Sequence, residues 1–493
     1  MKIKINLKNI FLFILIGLSL NTLKSADYIF ENSFDNSFNF ENDFENMDVD
    51  LNISEAELDV ISKDYTLRAD QFLIFLREML KKIDTPIWEH TKPPKGRDVL
   101  YLIPHKFTAI KYGRLDLNLL YNYTPKMNVT LENLINLDSG VTKLIELILK
   151  DSSLSSEQLS QLVPLFLKAV IQERKIAGLI QAGFTYKYFN IQIHTSLQAS
   201  ERNFWISKND QQTIEDMFSG AEKTFDKKEL YKIIYGLGDT RIKLGLNTIN
   251  TGGVQFDVGF EGIIPTAKKQ SLPDVNNSYL PTSEAELKIW MTENIKLIRD
   301  NLINPQLGNN GHFGLGFFIE SKFDLFHEAL KLWIRFSIDN IFEADEDRII
   351  LFNKTIDNTQ LTTDPEVLSK FIRENVFPPP FRTRIKPGNI INFVSNVSFN
   401  INKRWQWGVG YDLYAQEEET IKKILDDEVD SHELRIQDAQ IPQAIQHKIF
   451  SETNYSINKK NWDLILGIGA DATFSSKNMG KDWTIYLRIG AGF

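Results

Sequence analysis

Cysteine is absent from all 493 residues. That excludes disulfide staples, zinc-thiolate sites, thiol catalysis and a lipid-modified N-terminal cysteine. Histidine is scarce, seven in the chain, and His90, His105, His312, His327, His432 and His447 show no metal-ligand spacing. There is no Gly-rich phosphate loop and no Gly-x-Ser-x-Gly elbow. A formal charge of −9 leaves no basic stripe for nucleic acid. No cofactor, metal or nucleic-acid partner is therefore expected. After the N-terminus no apolar run approaches the roughly 18 residues of a transmembrane helix. If this chain lies in a membrane, it does so with strands.

The N-terminus reads as a targeting segment. Lys2, Lys4 and Lys8 precede an apolar core from Ile10 to Leu20, and the polar stretch NTLKSA follows. This is the pattern of a secretory signal peptide over 1–25, although Leu23 and Lys24 stand where small residues are preferred. Residues 27–50 hold acids and recurring Phe with no Lys or Arg, a composition that builds no core. Residues 65–83 have the spacing of an amphipathic helix, and TKPPKG at 91–96 breaks the chain after it. Residues 26–97 are thus expected to form a periplasmic extension, and 98–493 the main domain.

From about residue 110 the side chains alternate. Leu115, Leu117, Leu119, Tyr121 and Tyr123 share one face, and Arg114, Asp116, Asn118 and Asn122 the other. A strand points successive side chains to opposite faces, so each such run has one greasy and one polar side. The same parity recurs near 176–188, 189–200, 241–247, 254–261, 312–320, 330–339, 391–400, 404–413, 445–457, 462–471 and 483–493, which makes about twelve strands. Residues 98–103 and 345–352 could add a pair, so ten to fourteen strands are compatible with the pattern. Alternate connections are short, such as NTG, NK and NKK, while the others reach tens of residues. Short turns on one rim and long loops on the other are the habit of a transmembrane barrel. A soluble sandwich has no reason for it.

The final run, Trp483 to Phe493, places Trp483, Ile485, Leu487, Ile489, Ala491 and Phe493 on one face, with Thr484, Tyr486, Arg488, Gly490 and Gly492 on the other. It resembles the C-terminal strand of bacterial outer-membrane β-barrel proteins. The resemblance implies an all-β membrane fold, an antiparallel transmembrane barrel in the cell outer membrane. It also implies that Phe493 is the signal read by the barrel-assembly machinery, and that outer-membrane lipids surround the barrel. Phe189, Phe399, Trp405 and Trp462 then fall at periplasmic strand ends, and Tyr121, Tyr123 and Trp483 at outer ends, as two aromatic girdles.

The polar parity nominates a lumen lining: Arg114, Asp116, Lys187, Arg241, Lys243, Asp257, Glu261, Glu320, Lys331, Arg335, Asp339, Arg404, Asp412, Lys448, Glu452 and Arg488. Charges of both signs suit a wet pore with opposed charged walls, and equally a lumen sealed by ion pairs. Inward glycines at 183, 259, 314, 316, 408, 410, 467 and 469 reduce bulk and favour a narrow water-filled pore, the alternative being that they only relieve crowding where the sheet curves strongly. Ser283 to Glu286 forms a capping box, and Asp364-Pro365 a helix start, so the long extracellular loops are expected to carry helices that narrow the mouth, or that form a folded cap with no transport role. The Leu- and Ile-rich runs 143–150 and 156–173 carry helix signals too.

The leading functional expectation is a porin-like passive channel for small hydrophilic solutes. The alternative is a structural or surface-interaction barrel with a plugged lumen. His194-Thr195-Ser196 resembles the His-x-Ser pair of outer-membrane phospholipases. That family's pair faces lipid, whereas parity here turns both residues inward, so a lipid hydrolase is a remote alternative and no catalytic residue is assigned. Oligomeric state is not encoded in any of these patterns.

Overall fold

The computed structural model describes residues 94–103, 113–127, 169–218, 230–270, 284–326, 329–353, 364–426, 430–458 and 462–492, with breaks at 252 and 376–378 and isolated residues at 77, 165, 272 and 362. The signal segment 1–25, the acidic stretch, most of the 65–83 helix, the run 143–150 and Phe493 lie outside the described residues.

Twelve antiparallel strands close into a ring. They are β1 (Gly113–Thr124), β2 (Val170–Tyr186), β3 (Phe189–Trp205), β5 (Thr240–Thr251), β6 (Val254–Ile264), β7 (Gly314–Leu325), β8 (Leu330–Ile341), β11 (Ile390–Asn400), β12 (Trp405–Gln416), β14 (Ala444–Asn458), β15 (Asp463–Lys477) and β16 (Trp483–Gly492). Every strand expected from alternation is present. Closure is made by the first and last: Leu119 stands opposite Leu487 and Arg114 opposite Gly492. A closed ring leaves no edge and satisfies each backbone amide between strands, the condition for a sheet in hydrocarbon. One strand is interrupted. β4 (Tyr231–Leu237) and β5 both pair with β3, β4 along Leu197–Asn203 and β5 along Phe189–His194. Gly238 N still donates to Ser196 O at 2.8 Å across the break.

Large apolar side chains stand exposed around the outside, among them Leu117, Ile180, Leu244, Phe317, Ile468 and Ile489. Leu487 is 51% exposed while its neighbours Tyr486 and Arg488 are buried inside. This apolar exterior with a charged interior is the pattern of a barrel whose solvent is lipid. Short turns of two to four residues join β2–β3, β5–β6, β7–β8, β11–β12 and β14–β15 on one rim, and β1 starts and β16 ends there. The long connections leave the opposite rim.

Those connections carry helices and a second, small sheet. α1 (Lys208–Phe218) was not foreseen. α2 (Glu284–Ile303) and α3 (Pro365–Asn375) start where the capping signals stand. Asp364 Oδ1 accepts from Glu366 N at 3.0 Å, the N-cap bond. Trp290 and Leu297 of α2 and Leu368 and Ile372 of α3 are buried, so these helices hide their apolar faces. The helix signal over 156–173 gives way at its end to β2, which begins at Val170. The sheet is β9 (Ala344–Ile349), β10 (Pro380–Lys386) and β13 (Thr420–Ile424), with Phe352, Phe381, Ile385, Ile421 and Leu434 as its core. Residues 345–352 thus add a strand outside the barrel and none within it.

Residues 98–103 add none either. Val99–Tyr101 is a 3-10 turn lying in the lumen. Val99, Leu100, Leu102 and Ile103 pack with the inward Leu120, Leu179, Ile263, Ile341 and Ile390. Four of these wall residues sit in the long-loop half of their strands, and Leu179 sits at the middle of β2. Lys95 and Gly96, just before, line the long-loop mouth beside Arg348 and Glu419. The described chain therefore runs down into the lumen from the long-loop end, and β1 begins at the other rim. The boundary expected at 97/98 falls inside this lumenal segment.

Leu487→Arg should lower the unfolding free energy in vesicles by about 2–4 kcal/mol, because it places a cation on the apolar exterior. Denaturant titration of the refolded barrel reads this. An unchanged midpoint would mean that the outward face does not meet lipid.

Candidate functional site

The lumen is the candidate site, and its side chains are placed by strand parity alone. Of the sixteen expected lining residues, thirteen are buried and face inward: Arg114, Asp116, Arg241, Lys243, Asp257, Glu261, Glu320, Arg335, Asp339, Asp412, Lys448, Glu452 and Arg488. Lys331 has inward parity but sits at the short-turn rim, half exposed, 3.8 Å from Asp324. Two expectations are corrected. Lys187 occupies the β2–β3 turn with φ 54° and is exposed. Arg404 occupies the β11–β12 turn, exposed, with Nη1 donating to Tyr455 Oη at 3.3 Å. In both cases alternation was extended one residue beyond the strand, and beyond a strand parity has no meaning.

The buried charges form connected groups. In the short-turn half, Arg488 Nη2 donates to Asp116 Oδ2 at 2.8 Å, and Arg114 Nε to Asp116 Oδ1 at 2.8 Å. Higher up, Glu261 is the hub. Arg335 Nη2 donates to its Oε2 at 2.7 Å, and Arg241 and Lys243 each lie 3.8 Å away. Lys448 Nζ donates to Asp471 Oδ1 at 2.9 Å and Asp482 Oδ2 at 2.8 Å. Buried ions of one sign without partners are too costly to persist, and this pairing is what lets so many coexist.

The lumenal segment is keyed into these groups. Arg97 Nη2 donates to Asp412 Oδ2 at 2.6 Å. Tyr101 Oη donates to Asp339 Oδ2 at 2.6 Å. Arg241 lies over the Tyr101 ring at 4.2 Å, Tyr101 meets Tyr414 edge-on at 5.4 Å, and Arg97 lies over Tyr414 at 5.0 Å. The row runs cation, ring, ring, cation, each contact adding about 0.5–2 kcal/mol. Lys175 Nζ donates to Arg97 O at 2.7 Å.

The inward glycines correct another expectation. Gly316, Gly410 and Gly469 do not leave water-filled space. A Cβ on Gly469 would lie 2.2 Å from the Tyr486 ring, on Gly410 2.3 Å from Phe450, and on Gly316 2.0 Å from the Asp339 carboxylate. Each missing side chain is occupied by a neighbour's bulk. Trp333, Val394 and Phe450 form a further apolar cluster inside the barrel. Among the described residues, then, the lumen is filled by the 94–103 segment and by large inward side chains. The helices are not what fills it. The loop after α2 does reach the mouth: Arg202 Nη1 donates to Asn304 O at 3.2 Å, and Gln198 donates to Leu307 O.

The sequence reading missed this segment. Its signal was legible: VLYLI is apolar at every position, so it suits neither parity of a barrel strand and belongs somewhere buried on all sides. His194 and Ser196 are both buried and face the lumen, away from lipid, and His194 Nε2 lies 3.2 Å from Gln192 Oε1. The expected aromatics lie near the two rims. Phe189, Trp405 and Trp462 are exposed and Phe399 stacks on Trp407 at 5.7 Å, while Tyr121 and Tyr123 meet Trp483 at 5.5 and 6.0 Å.

No protein-family model matches this chain, and no curated protein matches it. Solved structures do. An outer-membrane channel from Pseudomonas putida F1 is 9% identical over 79% of this chain and 98% of its own, with a TM-score of 0.41. The Pseudomonas putida toluene transporter TodX is 8% identical over 78% and 90%, TM-score 0.30. The KdgM porin is 8% identical over 66% and 96%, TM-score 0.25. The barrel itself is established by the strand pairing above.

Glu261→Gln should cost about 3–5 kcal/mol, since it leaves three cations around a neutral amide. Asp324→Asn, at the exposed pair with Lys331, should cost about 0–1 kcal/mol. Unfolding of both variants in lipid tests the contrast, and equal costs would contradict a sealed charge network.

Proposed function

We propose that the protein is an outer-membrane channel for small hydrophilic solutes, held closed in this conformation by residues 97–103. One observation carries the reading. The closing segment is no part of the barrel's hydrogen-bond ladder. Its backbone-to-backbone bonds are local, Tyr101 N to Asp98 O at 3.0 Å and Leu102 N to Val99 O at 3.2 Å. It can leave without opening a strand. Beside the inward aliphatics it covers, the walls it would uncover carry charges, and several buried polar atoms there, including Arg241 Nε, Asp339 Oδ1 and Arg335 Nε, have no hydrogen-bond partner among the described residues. These charged groups suit water.

Leaving is costly. Val99, Leu100, Leu102 and Ile103 are almost fully buried, and each such side chain contributes about 1.5–3 kcal/mol. Openings are therefore rare without a trigger. The same burial favours the second reading, a permanently plugged structural barrel.

Planar-bilayer recording separates the two. The native barrel should be almost silent, and replacement of 97–103 by a Gly-Ser stretch should give steady conductance at least tenfold higher. Silence in both forms would remove the channel reading and leave the plugged one.

Acidity gives a second test. Lys95, at the mouth outside the spanning strands, is pushed down to about 8 by burial, against the pull of Glu419 and Glu346. Released into water it would titrate near its ordinary value of 10.5. Between these two values the seated segment binds fewer protons than the released one, so rising pH favours seating. Openings should become rarer as pH rises from 8 to 10, and Lys95→Met should flatten that trend. An increase in openings across this range would contradict the linkage.

A further inference from the structure

One sector of the long-loop rim carries exposed charge of a single sign. Lys477 ends β15, Lys481 stands in the turn before β16, and Lys126 follows β1; all three are exposed. The turn brings two of them together, since a Cβ on Gly480 would lie 2.8 Å from Lys126 O. One strand further round, Arg174 of β2 stands opposite Tyr123 and lies over its ring at 5.7 Å. Four cations thus stand along the top of β15, β16, β1 and β2.

The acids of this sector point the other way. Asp116, Glu452, Asp471 and Asp482 are buried in the lumen, and Lys448 holds the last two. Among the described residues of β14, β15, β16, β1 and the turn before β16, no acid is exposed at this rim. Glu201 of β3 lies 3.8 Å from Arg174 Nη1, and Arg174 Nε has no hydrogen-bond partner among the described residues. On the small outer sheet, by contrast, the exposed Arg384 is matched: its Nε donates to Asp345 Oδ1 at 2.8 Å. A chain of net charge −9 does not gather unmatched cations by composition alone.

The side chains below fix the depth of these cations. Tyr121 and Tyr123 meet Trp483 in the outer aromatic belt, and Leu117, Leu119 and Leu487 are exposed beneath it. Such rings sit at headgroup level. A bulge opposite His447 turns Ser475 outward, two residues from Lys477, so a hydroxyl joins the cations there.

We infer that this sector binds the phosphate of an anionic lipid in the outer leaflet, with the acyl chains lying against Leu119 and Leu487. Lys126, Lys477 and Lys481 supply charge where hydrocarbon meets water, Arg174 a planar donor and Ser475 a hydrogen bond. The site is on the outer wall, so it holds whether or not the lumen conducts.

Equilibrium binding of radiolabelled dioleoyl phosphatidic acid to the full refolded chain in neutral detergent tests it, with dioleoylglycerol as the probe that lacks phosphate. Saturable binding of phosphatidic acid is expected, with none of dioleoylglycerol at the same concentration. Lys126→Gln, Lys477→Gln and Lys481→Gln together should weaken it about a hundredfold. A comparison variant, Lys187→Gln, Lys403→Gln and Arg404→Gln, removes equal charge from exposed positions at the opposite rim and should bind as the native chain does. No saturable binding of phosphatidic acid, equal binding of dioleoylglycerol, or equal loss in the two variants would each overturn the inference. Displacement of the lipid by inorganic phosphate would overturn it too, because the site would then be one for free anions.

Discussion

Everything in this protein depends on the closure of β1 against β16. Once Leu119 stands opposite Leu487, each strand has a neighbour on both sides and each side chain has only two directions, outward or into the cylinder. Lipid accepts the aliphatic half of the alternation. The other half, with its arginines, lysines and carboxylates, is forced into a space too narrow for bulk solvent. Pairing around Glu261, Asp116 and Lys448 follows from that confinement, since ions that cannot reach water must find one another.

Confinement also explains the glycines and the seated segment. A lumen walled by Arg, Trp and Tyr needs positions with no side chain, and Gly469 and Gly410 are where Tyr486 and Phe450 lie down. What remains from mid-barrel to the long-loop rim is a set of inward aliphatics, Leu120, Leu179, Ile263, Ile341 and Ile390. Strand parity alone would expose them to water inside the barrel. Val99 to Ile103 cover them, while Arg97 and Tyr101 satisfy the carboxylates of Asp412 and Asp339 beside them. The segment is matched to its wall in both apolarity and charge, which is why its release carries a high cost.

The barrel was legible because its period is enforced residue by residue: runs such as Leu115 to Tyr123 or Val254 to Glu261 admit one assignment of faces. Three things were not legible. Alternation fails at turns, so Lys187 and Arg404 were given a face they do not have. Local pattern says nothing about non-local covering, so VLYLI read as a possible extra strand, although an all-apolar run is what an interior plug requires. Composition does not reveal what fills the space above a glycine, so the lumen looked emptier than it is. The meeting of Lys95 with Arg348 and Glu419 at the mouth was beyond reach altogether, because Lys95 precedes β1 and the other two come from separate connections that only the closed barrel brings together.

The central claim is that residues 97–103 sit inside the cylinder. Amide hydrogen exchange of the lipid-embedded protein, read on peptides spanning 97–103, tests it most directly. The account predicts exchange slowed by at least a hundredfold relative to an unstructured peptide, since these amides are buried and Leu100, Tyr101 and Leu102 N–H are all bonded. Exchange at the unstructured rate, with the twelve strands protected, would show an intact barrel whose lumen the segment does not occupy.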